Sequence, residues 1–343
     1  FSNVSLGFFH NFIPEFFTIG GALSGSFHLK GFPNKTQFTY DLDVINGLFD
    51  KIKLGHVTSI GSYNGRRLMV DSAKSILNDG IINASGSVPF DFNISSPTIG
   101  QFFPGDSINF QANAIVKSLP FLSPYIEDLD SVRGDLDIEL SLTGPVESIQ
   151  RNGYLKVKDG EIYTLLVSDP ATGVEGEAIM NQNQLSIKVL RATLYHSNGK
   201  YTKPKHWNTS ISGEMDFSQF FNPKYDLQIK GDETSFKTLY LDIVGQSNLD
   251  LTIVGKDTIT VAGIIEALDA NIFYEFTTEE MGTSLPKEQG TVMSYQLTIP
   301  IRESVLFQNS QIDAKVIGEL SLSQIGHNEI DFGGELFVED GNV

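Results

Sequence analysis

Gly134 to Gly144 reads G-D-L-D-I-E-L-S-L-T-G, nine residues between two glycines, with Leu136, Ile138, Leu140 and Leu142 separated by acidic or hydroxyl residues. A period of two places the apolar side chains on one face of a strand and the polar ones on the other. The same frame recurs at Gly21 to Gly31, with Phe27 and Leu29 in phase, and at Gly245 to Gly255, with Leu249, Leu251 and Ile253 in phase. The copies start 113 and 111 residues apart. Regular spacing with the alternation retained reads as a structural repeat, and it predicts an all-β chain.

Working outward, further runs alternate in the same way. Leu42 and Val44 lie in Tyr40 to Ile45, Leu155 and Val157 in Tyr154 to Val157, and Leu185, Ile187 and Val189 in Leu185 to Val189. Leu227 to Ile229, Gln296 to Ile301 (Leu297, Ile299, Ile301) and Ile312 to Leu322 (Ile312, Val316) complete the set. Each predicts a half-buried strand with one polar face. Asn-Gly and Asp-Gly pairs at 46, 64, 79, 152, 159, 198 and 340 predict tight hairpin turns, because such turns need positive φ. At about a dozen residues per strand and turn, the chain supplies on the order of 25 to 30 strands, and one continuous sheet would run roughly 100 to 140 Å.

Helix signals are few. Phe8 to Phe17 and Leu119 to Leu129 are aromatic and apolar and predict short amphipathic helices or turns, kept short by Pro14, Pro120 and Pro124. A second landmark follows each repeat: Gly86-Ser-Val-Pro-Phe-Asp-Phe, Gly213-Glu-Met-Asp-Phe and Leu297-Thr-Ile-Pro-Ile. Length differences fall in polar stretches such as Tyr195 to Asn208 and Thr277 to Gln289, and no Pro/Ser-rich linker divides the chain. The expectation is three repeat units, 1–130, 131–244 and 245–343, of one continuous architecture.

Composition bounds the partners. The 343 residues carry a formal charge of −18, which repels phosphate backbones and anionic headgroups, so neither nucleic acid nor electrostatic docking on a membrane is expected. The chain has no cysteine, which excludes disulfides and thiolate metal sites. No basic region with an apolar core precedes the first strand and no window approaches 18 apolar residues, so no transmembrane segment is expected. Phe1 is not an initiator, and the last residues follow a strand-like run; the chain reads as a piece of a longer protein.

Catalytic signatures are absent: no G-x-G-x-x-G, P-loop, G-x-S-x-G or H-E-x-x-H occurs. Of six histidines only His196 and His206 share a loop, where both read as surface residues. The pairs Asp41/Asp43, Asp128/Asp130 and Asp135/Asp137 suggest calcium, but Ile45 stands where a loop of the EF-hand kind needs an oxygen, so they read as a solvated strand face. No enzyme activity, metal or cofactor is expected, although the spatial separation of carboxylates that could cleave a glycoside is not encoded locally. Trp207 and most of the 25 phenylalanines read as core; Phe102, Phe103, Phe121, Phe220 and Phe221 fall in turn-like segments that could rim a groove.

Gly134 to Ile162, GDLDIELSLTGPVESIQRNGYLKVKDGEI, resembles the recurrent unit of the TamB and AsmA-like proteins: glycine, alternating strand, glycine then proline, and a glycine-led strand ending in a glycine turn. Gly318-Glu-Leu-Ser-Leu and Gly333-Gly-Glu-Leu-Phe-Val are similar to that family's run toward its C-terminal region. The first copy departs from it with Gly31-Phe32-Pro33, and the third with Gly255-Lys256. The resemblance implies a long antiparallel sheet folded lengthwise into an open U-shaped trough, a β-taco groove, whose apolar face holds lipid acyl chains. It implies a periplasmic location with the parent protein anchored in the inner membrane, phospholipid as ligand, and an outer-membrane assembly protein as partner. The apolar residues of the alternating runs above, from Phe27 to Val316, are then the expected lipid contacts. Two other readings stay open: an outer-membrane β-barrel, and a β-solenoid or β-sandwich adhesin or glycan-binding protein.

Overall fold

The computed structural model describes residues 1–7, 18–31, 35–49, 52–92, 105–119, 129–219, 222–239, 242–273, 292–310, 312–326, 328 and 330–342. Apart from 3-10 turns at Leu6 and Gly7 and at Val146–Ser148, the regular elements among the described residues are strands. No described helix is long and apolar enough to cross a membrane. The chain forms two compact units, one comprising Phe1–Pro124, Asp135–Lys156 and Ile179–Asn183, the other Tyr125–Gly134, Val157–Ala178 and Gln184–Val343.

The first unit is built on β1 (Val4–Ser5), β2 (Ile19–Lys30), β3 (Gln37–Phe49), β4 (Ile52–Asn64), β5 (Arg67–Leu77), β6 (Gly80–Pro89) and β7 (Ser107–Ser118). Each pairs antiparallel with the next. Then come β8 (Leu129–Pro145), β9 (Gln150–Thr164) and β10 (Ala171–Asn181). The second unit contains β11 (Gln184–Thr193), β12 (Thr209–Asp216), β13 (Lys224–Lys237), β14 (Ile243–Gly255), β15 (Thr258–Ile272), β16 (Val292–Gln308), β17 (Asp313–Ile325) and β18 (Asp331–Asn342). These pair in sequence and antiparallel, except that β15 and β16 run parallel. The chain is therefore all-β with mostly antiparallel pairing, as the alternation predicts; the parallel pair is a departure from it.

The three repeat copies lie in β2, β8 and β14, six strands apart in chain order. Among the described residues there are eighteen strands, and all but β1 and β12 have ten residues or more, longer than expected. The reason is chemical. Of the glycine pairs expected at turns, only Asn64-Gly65 and Asp79-Gly80 fall at hairpins: Gly65 and Arg66, with φ of 56° and 63°, link the paired Asn64 and Arg67, and Asp79 lies between the paired Leu77 and Gly80. Asn46-Gly47, Asn152-Gly153, Asp159-Gly160 and Asp340-Gly341 sit inside β3, β9 and β18, and Asn198-Gly199 in a loop. Asn46 (φ 54°) marks a register shift between Val44 and Gly47, and Asp159 has φ 49°. A β-bulge needs a left-handed residue as much as a hairpin turn does, and Asn and Asp tolerate that region best after glycine.

The expected helices at Phe8 to Phe17 and within Leu119 to Leu129 lie outside the described residues, save that Leu119 is buried just after β7 and Leu129 opens β8. So do Asp128, Phe102, Phe103, Phe121, Phe220, Phe221 and the stretch Thr277 to Gln289.

Candidate functional site

In the second unit the registers align apolar residues into lateral rows. Leu190, Ile211, Ile229, Leu251, Gly263, Leu297, Leu322 and Phe332 follow one another across β11 to β18, each paired with the next. None is buried: all are half-buried except Phe332, which is 50% exposed. A parallel row runs through Ile187, Gly213, Leu227, Ile253, Val261 and Tyr295. The opposite face carries Asp226, Lys230, Asp250 and Glu319, all exposed. Gly263 keeps the first row continuous, because at φ +137° a Cβ there would lie 2.2 Å from the Asp250 carbonyl oxygen.

One end of this face is closed. Ala270, Val305 and Val316, consecutive across β15, β16 and β17, are 6%, 0% and 4% exposed, and they pack with Ile301 and Phe307. Ile301 and Val316, expected to touch lipid, are therefore packed protein interior, and Ile312 lies against the same cluster from the turn before β17. Leu249, Leu251, Ile253 and Leu297 stay half-buried on the open part, whereas Ile299 packs against the closed cluster. In β11 the alternation breaks: Leu185 and Ile187 pair with Met215 and Gly213, but a bulge brings Leu190, not Val189, opposite Ile211. Val157 and Ile187 are buried.

The first unit fills its apolar face differently. The row Leu42, Ser59, Ala73, Ala84, Ala112 is mostly small, and Val44, Val57, Ser75, Ile82 and Ala114 form the next. Beside them rings accumulate: Phe27 meets Phe1 at 5.4 Å and Phe38 at 5.5 Å, Phe38 meets Tyr63 and Phe92 at 5.1 and 5.3 Å, and Phe90 meets Phe92 at 4.6 Å. Stacked and edge-on pairs at these distances attract beyond their burial. Tyr40 stands opposite Gly61, where a Cβ would come within 2.5 Å of its hydroxyl oxygen, and donates to the Met69 carbonyl at 3.2 Å. Tyr63 accepts from the Phe92 N–H at 2.9 Å. Burial raises the phenol pKa of both tyrosines. Phe27 and Leu29 remain 49% and 54% exposed at the edge of this face. Leu136 is 1% exposed, while Ile138, Leu140, Leu142 and Leu155 are half-buried, as are Leu42 and Val44.

The expected contact residues thus divide into an open set and a packed set. The sequence reading missed the aromatic cluster, although Phe38/Tyr40 and Phe90/Phe92 alternate, and it missed Phe332, Leu336 and Val338, which β18 presents at 50%, 37% and 49% exposure.

The polar features are structural. Asp41 and Asp43 lie in β3, where Asp43 meets His56 at 2.8 Å, and Asp135 pairs with Lys117. Among the described residues no three His, Asp or Glu side chains converge as a metal site would require. His196 is not a simple surface residue: its side chain is 16% exposed, its Nδ1 lies 2.6 Å from Asp169, and its N–H donates to Ser235. Lys200 reaches Asp269, and Trp207 donates to the Gly173 carbonyl, so the loop from Leu194 to Asn208 is strapped across neighbouring strands. Within it Tyr201 is buried, and burial followed by the nearby Asp269 charge pushes its phenol up to about 12.

No family model, curated protein or solved structure matches the chain.

Proposed function

We propose that the half-buried apolar rows bind the acyl chains of phospholipid or a similar lipid, in a periplasmic chain that helps move lipid between the inner and outer membranes. The observation that carries this reading is the row from Leu190 to Phe332: in-register apolar residues on eight strands, none of them sealed. Such a surface must meet something apolar, and each methylene laid on it contributes about 0.8 kcal/mol. The resemblance of Gly134 to Ile162 to TamB and AsmA-like repeats supports the trough geometry, a parent protein held in the inner membrane, and an outer-membrane assembly protein as neighbour. No phosphate-binding glycine loop occurs in the sequence, so movement along the rows would be passive, with direction set elsewhere.

Mass spectrometry of organic extracts from purified protein tests the reading. Phospholipid should co-purify, and Leu251→Glu or Ile253→Glu should lower its recovery about tenfold, as should Leu140→Glu if the β8 face takes part. A folded, lipid-free preparation that takes up no lipid from vesicles, or that binds polysaccharide instead, would overturn it.

A further inference from the structure

The dipeptide Asn-Gly occurs four times, at Asn46, Asn64, Asn152 and Asn198, and the fold sets the last one apart. Asn46-Gly47 and Asn152-Gly153 are held inside β3 and β9, where Asn152 Oδ1 accepts the Gln182 N–H at 3.1 Å. Asn64 lies at the hairpin into Arg67, and its Oδ1 accepts from Gln37 Nε2 at 3.1 Å. Each of these two oxygens has a single donor from a distant part of the chain. Asn198-Gly199 lies in the 194–208 loop, with both residues exposed. Asn198 Oδ1 accepts two backbone N–H groups from the residues just beyond it, Lys200 at 2.9 Å and Tyr201 at 3.4 Å. Two N–H donors identify that atom as the oxygen, since an amide nitrogen cannot accept.

The chemistry open to an Asn-Gly pair is ring closure, in which the glycine backbone nitrogen attacks the asparagine Cγ. The glycine N–H gives up its proton, the N–Cγ bond forms, and negative charge collects on Oδ1. Collapse of this intermediate breaks the Cγ–Nδ2 bond and expels ammonia, which takes up a proton. Water then opens the cyclic imide to aspartate or isoaspartate, so amide and water become acid and ammonia with no change of oxidation state. Paired N–H groups aimed at the oxygen where charge develops stabilise such an intermediate, as an oxyanion hole does in acyl transfer. At Asn198 the loop supplies that pair. The attacking group is unobstructed: among the described residues no backbone hydrogen bond holds the Gly199 N–H. Gly199 has φ of 78°, and nothing lies within 4 Å of the position a Cβ would take.

We infer that Asn198-Gly199 is a self-modification site, at which the folded chain accelerates conversion of Asn198 to aspartate and isoaspartate. The two donors are held from beyond: Lys200 Nζ lies 2.6 Å from Asp269, and Tyr201 is 8% exposed. Isoaspartate adds a methylene to the backbone immediately before these anchors, so conversion loosens the loop. None of this depends on lipid binding.

The test ages the full 343-residue chain in mildly alkaline buffer, folded and, in parallel, unfolded in guanidinium chloride, and follows each Asn-Gly peptide by mass spectrometry. Unfolding gives the four pairs nearly the same surroundings. Folding should speed the loss of Asn198 by at least about tenfold, less than one donor supplies in a buried enzyme site, and should leave Asn64 slower than Asn198. Lys200→Ala keeps both N–H groups but releases them from Asp269, so its Asn198 should fall back toward the unfolded rate; circular dichroism checks that the variant folds. Trypsin should cut the aged wild type after Lys200 faster than the fresh protein. The inference is overturned by Asn198 loss no faster in the folded wild type than in the unfolded one. It is equally overturned by a folded Lys200→Ala chain that matches the wild type, or by equal trypsin cutting of aged and fresh protein.

Discussion

The two units write the same alternating code and fill it with different residues. In the first, one row of the apolar face is serine and alanine beyond Leu42, and large rings from β2, β3 and β4 and from Phe90 and Phe92 pack on one another beside it. In the second, Leu and Ile stand side by side on successive strands, and the surface stays half-open except at the Ala270, Val305, Val316 end. The first face satisfies much of its apolar surface internally, whereas the second leaves much of its apolar surface half-exposed. Alternation fixes which side is apolar, and side-chain size decides whether that side is self-sufficient.

Breaking the backbone fit should have the largest effect in both units. Gly61→Ala would push a Cβ to 2.0 Å from the Met69 carbonyl oxygen and against the Tyr40 ring, and Gly263→Ala would strain a φ of +137°. Each should cost roughly 3 kcal/mol, read as a shift in the midpoint of urea unfolding. Equal losses would place both units in one cooperative transition; an effect confined to one phase would separate them.

Packed positions come next. Leu136→Ala, at 1% exposure, should lose about 3 kcal/mol, and Val305→Ala, at 0%, about 2 kcal/mol. Leu251→Glu on the open row should unfold little but lower lipid recovery about tenfold, equivalent to roughly 1.4 kcal/mol of binding. A stability loss as large as that of Val305→Ala would show that the row is dry core, and the contrast between the ends of the second unit would fail.

The smallest effect is at alkaline pH. The Tyr201 phenol is raised from 10.0 to about 12 in the folded chain, so the folded state keeps its proton where the unfolded state loses it. Its contribution to stability is complete below pH 10 and is lost as pH rises toward 12. Spectroscopic titration should show a late phenolate phase that Tyr201→Phe removes.

Much of this was legible in the sequence. The period of two located the strands, and the repeat frame fell on β2, β8 and β14 because a nine-residue alternating run between glycines has little else to become. Asn46-Gly47 and Asp159-Gly160 do not mark hairpins because positive φ at Asn46 and Asp159 is met inside a strand as well as at a turn, and only pairing distinguishes the two. Val189 failed for a related reason: one extra residue in β11 reverses which side chain faces inward. The closure over Ile301 and Val316 could not be read, since alternation names a face without saying what packs on it. The pairing of His196 is not legible in the sequence because its partners Asp169 and Ser235 lie 27 and 39 positions away.

The parallel pair of β15 and β16 has a consequence for folding order. Strands joined by tight turns find their register locally, but a parallel neighbour must be positioned after a longer excursion of the chain, which is entropically slower. The pair is therefore a seam between two locally zipped groups, β11 to β15 and β16 to β18. The dry cluster sits on that seam: Ala267 meets Ile301, Ala270 meets Val305 and Ile272 meets Phe307 across it. With no turn to set the alignment, tight packing of these side chains takes over that task. Pulsed hydrogen exchange during refolding should find the β15–β16 amides protected last, and later still in Val305→Ala.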